Sequence, residues 1–297
     1  MTGSSINKKV IVIVGPTGAG KTELAFYLAK KLNGIIINAD SRSIYKFLDL
    51  GTDKPPKIFF KKVPHFLFSF VDPKKNFSVA QWLEIVKKII ENHKVNIVVG
   101  GTWFWLKALI EGWELPKIKP DFKLRKKLEK LDINTLAEKL KKLDIKRFKN
   151  LKSNIKNKRR LIRAIEIAVH LGKVPKIKKK KNFNFLILGI KKDLKDLRKI
   201  IRKRNEISLK KGILKEIENL NKKHKLSFKK IISFGYRYKY FTLYFLGKID
   251  KKLALEKLEK EGIKIAKTQI REFQKLNPIW IKNKKEALKI CKNYLNS

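Results

Sequence analysis

Eight residues near the start, Gly15-Pro16-Thr17-Gly18-Ala19-Gly20-Lys21-Thr22, have the types and the spacing to hold a phosphorylated ligand. The glycines permit positive φ and let a ligand approach the backbone closely. The N–H groups of such a turn, with the positive end of a new helix, can surround a di- or triphosphate. Lys21 adds a mobile point charge, and the Thr22 hydroxyl stands where a magnesium ligand belongs. Before the turn runs the apolar segment Val10 to Val14, and after it apolar residues recur with helical spacing from Thr22 to Leu32. Strand, glycine turn and helix are the context that a GxxxxGK[ST] phosphate loop requires. A glycine turn without a ligand is the bland alternative, and the matching strand–helix context argues against it.

Two further stretches could bring chemistry to that loop. Gly34 to Asn38 is an apolar run followed by Ala39-Asp40-Ser41, read as a buried parallel strand whose carboxyl end delivers Asp40. Ligands of open parallel sheets sit outside those carboxyl ends, so Asp40 can be a chemical group. It can equally be the N-cap of a following turn, and both readings stay open. Asn96 to Val99 is a third apolar run, and it ends in Gly100-Gly101-Thr102. ATP-hydrolysing phosphate-loop proteins place an acidic magnesium ligand at this strand end. Gly100 at that point argues against an ATPase or GTPase, and the paired glycines suggest a flat or bulky ligand close to the backbone. His65, beside Pro64, reads as a packed residue.

The elements that must position these groups follow from periodicity. Ser78 caps a helix to Asn92, Phe185 to Ile190 is another strand, and Leu194 to Lys211 is a basic helix closed by Gly212 and carrying Arg198, Arg202 and Arg204. Residues 116–157 are lysine-dense with helical leucine spacing and no strand-like run. A helix from Arg159 to Leu171 follows, ended by Gly172, then a solvated basic loop at Lys176 to Lys181. The remaining chain reads as helical, interrupted at 233–237 and at Asn277-Pro278. The expected fold is α/β: a parallel sheet of the P-loop NTPase type flanked by helices, with a small all-helical insertion domain. The expected division is a catalytic core of 1–115 and 158–297, with 116–157 as the insert.

Of 297 residues, 43% are hydrophobic, and no apolar run approaches the length of a membrane span. A short polar leader precedes the first strand. Cys291 is the single cysteine, which excludes an intrachain disulfide and a multi-cysteine zinc site and points to a reducing cytoplasm. A monomer is expected. The net charge of +48 can be the electrostatic footprint of a nucleic-acid binder. It can also be compositional drift: only 11 of the 74 basic residues are arginine, and isoleucine, asparagine and phenylalanine abound.

Taken together, separated segments resemble the bacterial tRNA dimethylallyltransferase family. GPTGAGKT matches its phosphate loop, and Asp40-Ser41-Arg42-Ser43-Ile44-Tyr45 looks like its DS[MR]QVY segment with Ser43 in place of glutamine. Gly51-Thr52-Asp53-Lys54-Pro55 resembles GTAKP, and Gly100-Gly101-Thr102 with Leu106 to Leu109 resembles GGTxxYxKAL. Arg160 to Glu166 is similar to RxxRALE, Arg204 with Gly212 to RxxxMxxxG, and Gly235-Tyr236-Arg237 to IGYK. The family's TRxxAKRQxTW helix is reduced to Ala266-Lys267-Thr268-Gln269, and an acidic position before RxxRALE is Asn157.

The resemblance implies transfer of a dimethylallyl group from dimethylallyl diphosphate to the N6 amine of the adenosine 3′-adjacent to the anticodon (position 37), in tRNAs reading codons that begin with U. The loop Gly15 to Thr22 would hold the diphosphate, with Mg2+ at Thr22. Asp40 would be the general base, Arg204 would face the leaving group, and Thr22 and Thr102 would assist. Asp40, Ser41, Arg42, Lys54, Arg160, Arg163 and Arg237 would meet the anticodon stem-loop, and the lysines of 116–157 would flank it. Three alternatives share some of these residues: an isopentenyltransferase acting on free adenine nucleotides, a P-loop small-molecule kinase, and a non-catalytic RNA-binding protein with a vestigial loop. The long basic insert and C-terminal helices favour a tRNA acceptor over the first two, and intact Lys21, Thr22, Asp40 and Arg204 argue against the third.

Overall fold

The computed structural model describes residues 8–116, 118–151 and 155–297. The polar leader 1–7, and Lys117 and residues 152–154 of the expected insert, lie outside the described residues. The chain opens as β1 (Lys9–Val14), α1 (Lys21–Leu32), β2 (Ile35–Asn38), α2 (Lys57–Lys62), β3 (His65–Phe66), α3 (Val79–Asn92), β4 (Asn96–Val99) and α4 (Trp103–Ile110). A second unit then contributes β5 (Trp113–Glu114), α5 (Phe122–Leu128), α6 (Ile133–Leu143), α7 (Ile145–Leu151), α8 (Lys158–Leu171) and β6 (Lys178–Lys179). The chain returns as β7 (Asn184–Ile190), α9 (Leu194–Lys210), α10 (Ile213–Lys222), α11 (Phe228–Ile232), α12 (Tyr236–Phe245), α13 (Lys251–Gln274), β8 (Ile279–Ile281) and α14 (Lys284–Asn296).

Six strands pair in the order β3-β2-β4-β1-β7-β8, all parallel. Strands covered by helices on both faces must be apolar throughout, and Val10 to Val14 are fully buried. Ile11, Ile13, Leu186 and Leu188 pack against Leu24, Ala25 and Leu28 of α1 and against Ala287 and Cys291 of α14. Burial pushes the Cys291 thiol up to about 12, so it stays protonated and inert. Ser78 caps α3 in a reciprocal capping box with Gln81, as the sequence predicts. The sheet has two strands that periodicity does not announce. β3 pairs with Ile36 and Ile37, and β8 places Trp280 on Gly189, so the stretch after Pro278 is not purely helical.

The first unit comprises 1–111 with 181–297, and the second comprises 112–180. The boundaries therefore differ from the expected 116–157. Leu161, Ile162 and Ile165 of α8 are buried in a cluster with Leu128, Leu136 and Leu140, which binds α8 to the helices before it rather than to the sheet. Nor is this unit all-helical. Lys178 and Lys179, expected in a solvated loop, form an exposed antiparallel ribbon with Trp113 and Glu114.

One carboxylate ties this unit together. Glu166 of α8 is fully covered and accepts from the Asp121 N–H (2.7 Å) and from the Arg125 guanidinium at 2.8 and 2.7 Å, and it also binds Arg163. Burial pushes its carboxyl up, but hydrogen bonds from Arg125 and Arg163 outweigh that and hold it at about 2. A depressed folded-state pKa contributes stability that is present above the ordinary value of 4.5 and lost as pH falls through about 2. Glu166→Gln should destabilise the unit by about 2 kcal/mol at neutral pH, the scale of lost hydrogen bonds to a charged group and less than a fully buried pair would cost, because both arginines still reach water. Hydrogen exchange in α6 and α8 measures this directly, and unchanged protection would contradict it.

Candidate active site

β1 ends at Val14, and the chain turns through Gly15–Gly20 before α1 begins at Lys21. Gly18 and Gly20 sit at φ 87° and 92°, the left-handed region that a side chain resists. This turn leaves the first N–H groups of α1 at the cavity without a side-chain cap. The Lys21 ammonium folds back onto the loop and donates to the Gly15 and Pro16 carbonyls, both at 2.9 Å. Burial lowers its pKa to about 8, with the Asp40 carboxylate opposing the shift and Arg204 adding to it. Thr17, Gly18, Gly20, Lys21, Thr22, Asp40 and Arg204 line one cavity of about 120 Å3. That is well below the roughly 300–1,000 Å3 of sites enclosing a whole drug-sized ligand. It suits the phosphate end of a ligand.

Asp40 arrives at the end of β2, held by Asn38: the Asp40 N–H donates to Asn38 Oδ1 (2.9 Å), and Asn38 Nδ2 donates to the Leu67 carbonyl (2.9 Å). The two oxygens of the Asp40 carboxylate have different surroundings. Oδ1 accepts the N–H of Arg42 (2.8 Å) and Ser43 (3.4 Å), which is the capping role. Oδ2 lies where a Cβ on Gly101 would come within 3.1 Å, and the residue borders the cavity. The caps fix the plane of the carboxylate that faces the ligand space.

Gly100 and Gly101 have a reason different from the expected one. A Cβ on Gly100 would lie 2.2 Å from the Ala39 carbonyl carbon, and one on Gly101 would lie 2.9 Å from Gln269 Nε2. The missing side chains make room for the protein's own β2 end and for α13. Thr102 does not line the cavity. Its hydroxyl accepts the Ser41 N–H at 2.9 Å and meets the Ser41 hydroxyl at 3.2 Å, so it steadies the turn that carries Asp40.

His65, expected as a packed residue, also borders the cavity, and so do Gln269 and Asp53, which the sequence does not place at the site. Gln269 of α13 accepts the Thr17 N–H (2.8 Å) and donates to the Gly101 carbonyl (3.0 Å), bridging the phosphate loop to the end of β4. It is uncharged and lies in a lysine-rich helix, so only the likeness of 266–269 to the AKRQ stretch hints at it. Asp53 pairs with Arg204 (3.6 Å) and Arg237 (2.6 Å). Its acidity runs against the alanine of GTAKP, which is its only signal.

Several residues expected to meet RNA are used internally. Arg237 is 5% exposed and bound to Asp53 and to the Ser208 hydroxyl. The Lys54 side chain is 6% exposed, and its ammonium donates to the Tyr45 carbonyl, Asp49 and Ser69. Both act as ties rather than contact surfaces. Ser41 and Arg42 follow Asp40 and are half-buried. Arg160 and Arg163 belong to the second unit; Arg160 is exposed there, while Arg163 binds Glu166 and the Ile118 carbonyl.

A glycine loop after the first strand of a parallel sheet, with Lys21 and Asp40 beside it and Gly100 following β4, gives an α/β fold of the P-loop type. The sequence profile of the IPP transferase family matches residues 43–276, and the chain belongs to that family. The tRNA dimethylallyltransferase of Acetivibrio thermocellus is 36% identical, covering 93% of this chain and 92% of its own. The full-length tRNA isopentenylpyrophosphate transferase of Bacillus halodurans superposes with a TM-score of 0.71 at 28% identity, covering 97% of each chain. A eukaryotic dimethylallyltransferase acting on tRNA superposes at 0.72 with 27% identity, over 89% of this chain and 69% of that one.

Proposed function

We infer that this protein transfers a dimethylallyl group from dimethylallyl diphosphate to the N6 amine of the adenosine 3′-adjacent to the anticodon of tRNA, releasing diphosphate. The observation that carries the reading is the union, in one cavity of a family member, of the phosphate loop with Asp40 and Arg204. The allylic C–O bond breaks and its electron pair leaves on pyrophosphate. Preorganised cations and N–H groups stabilise that developing charge, and here they are Lys21, the loop amides and Arg204. The N6–carbon bond forms as Asp40 orients the amine and takes its proton. An adenine reaches such a site only by leaving its stack, which suits a loop of single-stranded RNA.

Among the described residues no cluster of three acidic, histidine or cysteine groups is present. Magnesium needs only one or two protein oxygens beside substrate phosphates and water. The Thr22 hydroxyl in the cavity lining fits that requirement. The Thr22 hydroxyl would hold the ion with the diphosphate oxygens, and the ion supplies neutralising charge to the leaving group.

Lysines and exposed arginines of 112–180 would contact phosphates of the anticodon stem, which position an RNA without reading its sequence. No described helix is long and apolar enough to cross a membrane; the place of work proposed for the enzyme is the cytoplasm, as a monomer.

The protonation of Lys21 sets a pH dependence. Its folded pKa of about 8 leaves it charged below that value, and an added diphosphate anion raises the pKa. Pyrophosphate affinity should therefore fall as pH rises through about 8, and binding just above that pH should take up a proton. Calorimetry in buffers of different ionisation enthalpy reads the uptake, and its absence would show that Lys21 does not meet the anion.

Acceptor choice separates this reading from transfer to free nucleotides. With dimethylallyl diphosphate and magnesium, pyrophosphate release should require tRNA and should not occur with AMP or ADP. Release with the free nucleotides alone would overturn the tRNA assignment.

A further inference from the structure

The segment 49–54 brings Thr52 and Asp53 to the cavity, and side chains from helices distant in sequence hold its shape. Glu216 of α10 accepts four hydrogen bonds. Its Oε2 takes the N–H of Asp49 (3.1 Å) and Leu50 (2.8 Å), and its Oε1 takes the N–H of Gly51 (3.3 Å) and the hydroxyl of Tyr238 (2.6 Å). Three consecutive N–H groups converging on one carboxylate form an anion nest, a turn held in shape by the charge it encloses. The Tyr238 ring closes the other side, since a Cβ on Gly51 would lie 2.3 Å from Tyr238 Cζ. Burial raises the Glu216 pKa, while the donors around it pull the other way.

Two residues beyond this nest stands Asp53, at φ 51°, a left-handed conformation that a non-glycine residue keeps only when its surroundings enforce it. Its Oδ1 meets Arg237 at 2.6 Å, and its Oδ2 meets Arg204 at 3.6 Å. Arg237 is the buried anchor, and Arg204 lines the cavity with Lys21 and the loop. A guanidinium has five donors in a fixed fork, so a partner at one edge sets the direction of the others.

We propose that Glu216 is a positioning residue for the leaving group: it fixes the 49–51 turn, the turn fixes Asp53, and Asp53 aims Arg204 at the diphosphate. The proposal rests on the reading of the cavity as the diphosphate site. Glu216 touches no substrate. It lowers the cost of binding by presenting Arg204 already ordered, which is preorganisation rather than a new contact.

Titration with magnesium pyrophosphate tests this in six variants of the full chain: Glu216→Gln, Tyr238→Phe, Arg204→Ala, Lys21→Ala, and the pairs Glu216→Gln/Arg204→Ala and Tyr238→Phe/Arg204→Ala. Glu216→Gln should weaken binding about tenfold, the size of one lost hydrogen bond to a charged group. In the Arg204→Ala background the same change should cost less than about twofold, because an effect passed through Arg204 vanishes once Arg204 is gone. A general loosening of the fold would instead multiply with the loss at Arg204, and that result would overturn the proposal. So would wild-type affinity in Glu216→Gln while Arg204→Ala and Lys21→Ala bind weakly. Wild-type affinity in Lys21→Ala as well would mean the cavity is not the diphosphate site, and the proposal would fall with that reading. If Glu216→Gln does not fold, Tyr238→Phe, which deletes a single hydroxyl from the same carboxylate, should weaken binding about threefold, again only when Arg204 is present. Unchanged affinity there would count against the proposal.

Discussion

Asp40→Asn should slow single-turnover transfer by roughly 10²- to 10⁴-fold while tRNA and dimethylallyl diphosphate still bind, the span typical of a lost general base. The asparagine keeps the size of the side chain, and its amide oxygen can still accept the N–H groups of Arg42 and Ser43 that Oδ1 accepts now. What disappears is the capacity to take a proton at the oxygen beside Gly101. Capping and chemistry are therefore separable at this residue, because they use different oxygens. Rapid-quench kinetics with the enzyme in excess reads the chemical step alone. A near-normal rate would reduce Asp40 to the cap of its own turn.

Arg204→Ala has a mixed signature. Pyrophosphate carries more charge in the transition state than in the bound donor, so a cation aimed at it matters in both states and most in the second. Losing one such donor costs on the order of 10²- to 10³-fold in rate, and donor binding should weaken as well. Arg204→Lys should recover only part, since an ammonium cannot reproduce the fork that Asp53 orients. Asp53 keeps its Arg237 partner in either variant, so the local fold should survive. A loss of donor affinity with no change in the single-turnover rate would place Arg204 in ground-state binding only.

The site was legible in the sequence wherever spacing along the chain carries it. The phosphate loop needs its residues in consecutive order. Asp40 follows an apolar run whose strand end points to ligands, and Ser78 announces α3 three residues ahead of Gln81. Strands β1, β2 and β4 are buried on both faces and β7 in part, and all four show as apolar runs, whereas β3 and β8 are too short to show a period. What stayed hidden depends on partners distant in the chain. Lys54 and Arg237 read as basic residues free for RNA, yet their fates are decided by Ser69, Tyr45 and Asp53. Gln269 acquires its role only because α13 passes the phosphate loop. The boundary of the second unit moved for a similar reason: α8 has apolar residues that either unit could bury, and only packing with Leu136 and Leu140 decides it. Charge was the least informative signal, because a lysine in contact and a lysine in solvent look alike in sequence.

The most direct measurement is of the product. The protein should be incubated with magnesium, dimethylallyl diphosphate and unmodified tRNA, and the RNA digested to nucleosides and weighed. One adenosine per reactive tRNA should be heavier by a dimethylallyl group, attached at N6, in the anticodon loop on the 3′ side of the anticodon. With ATP in place of the allylic diphosphate there should be no turnover. Unmodified tRNA, together with phosphate transfer from ATP to a small acceptor, would contradict the proposed transfer.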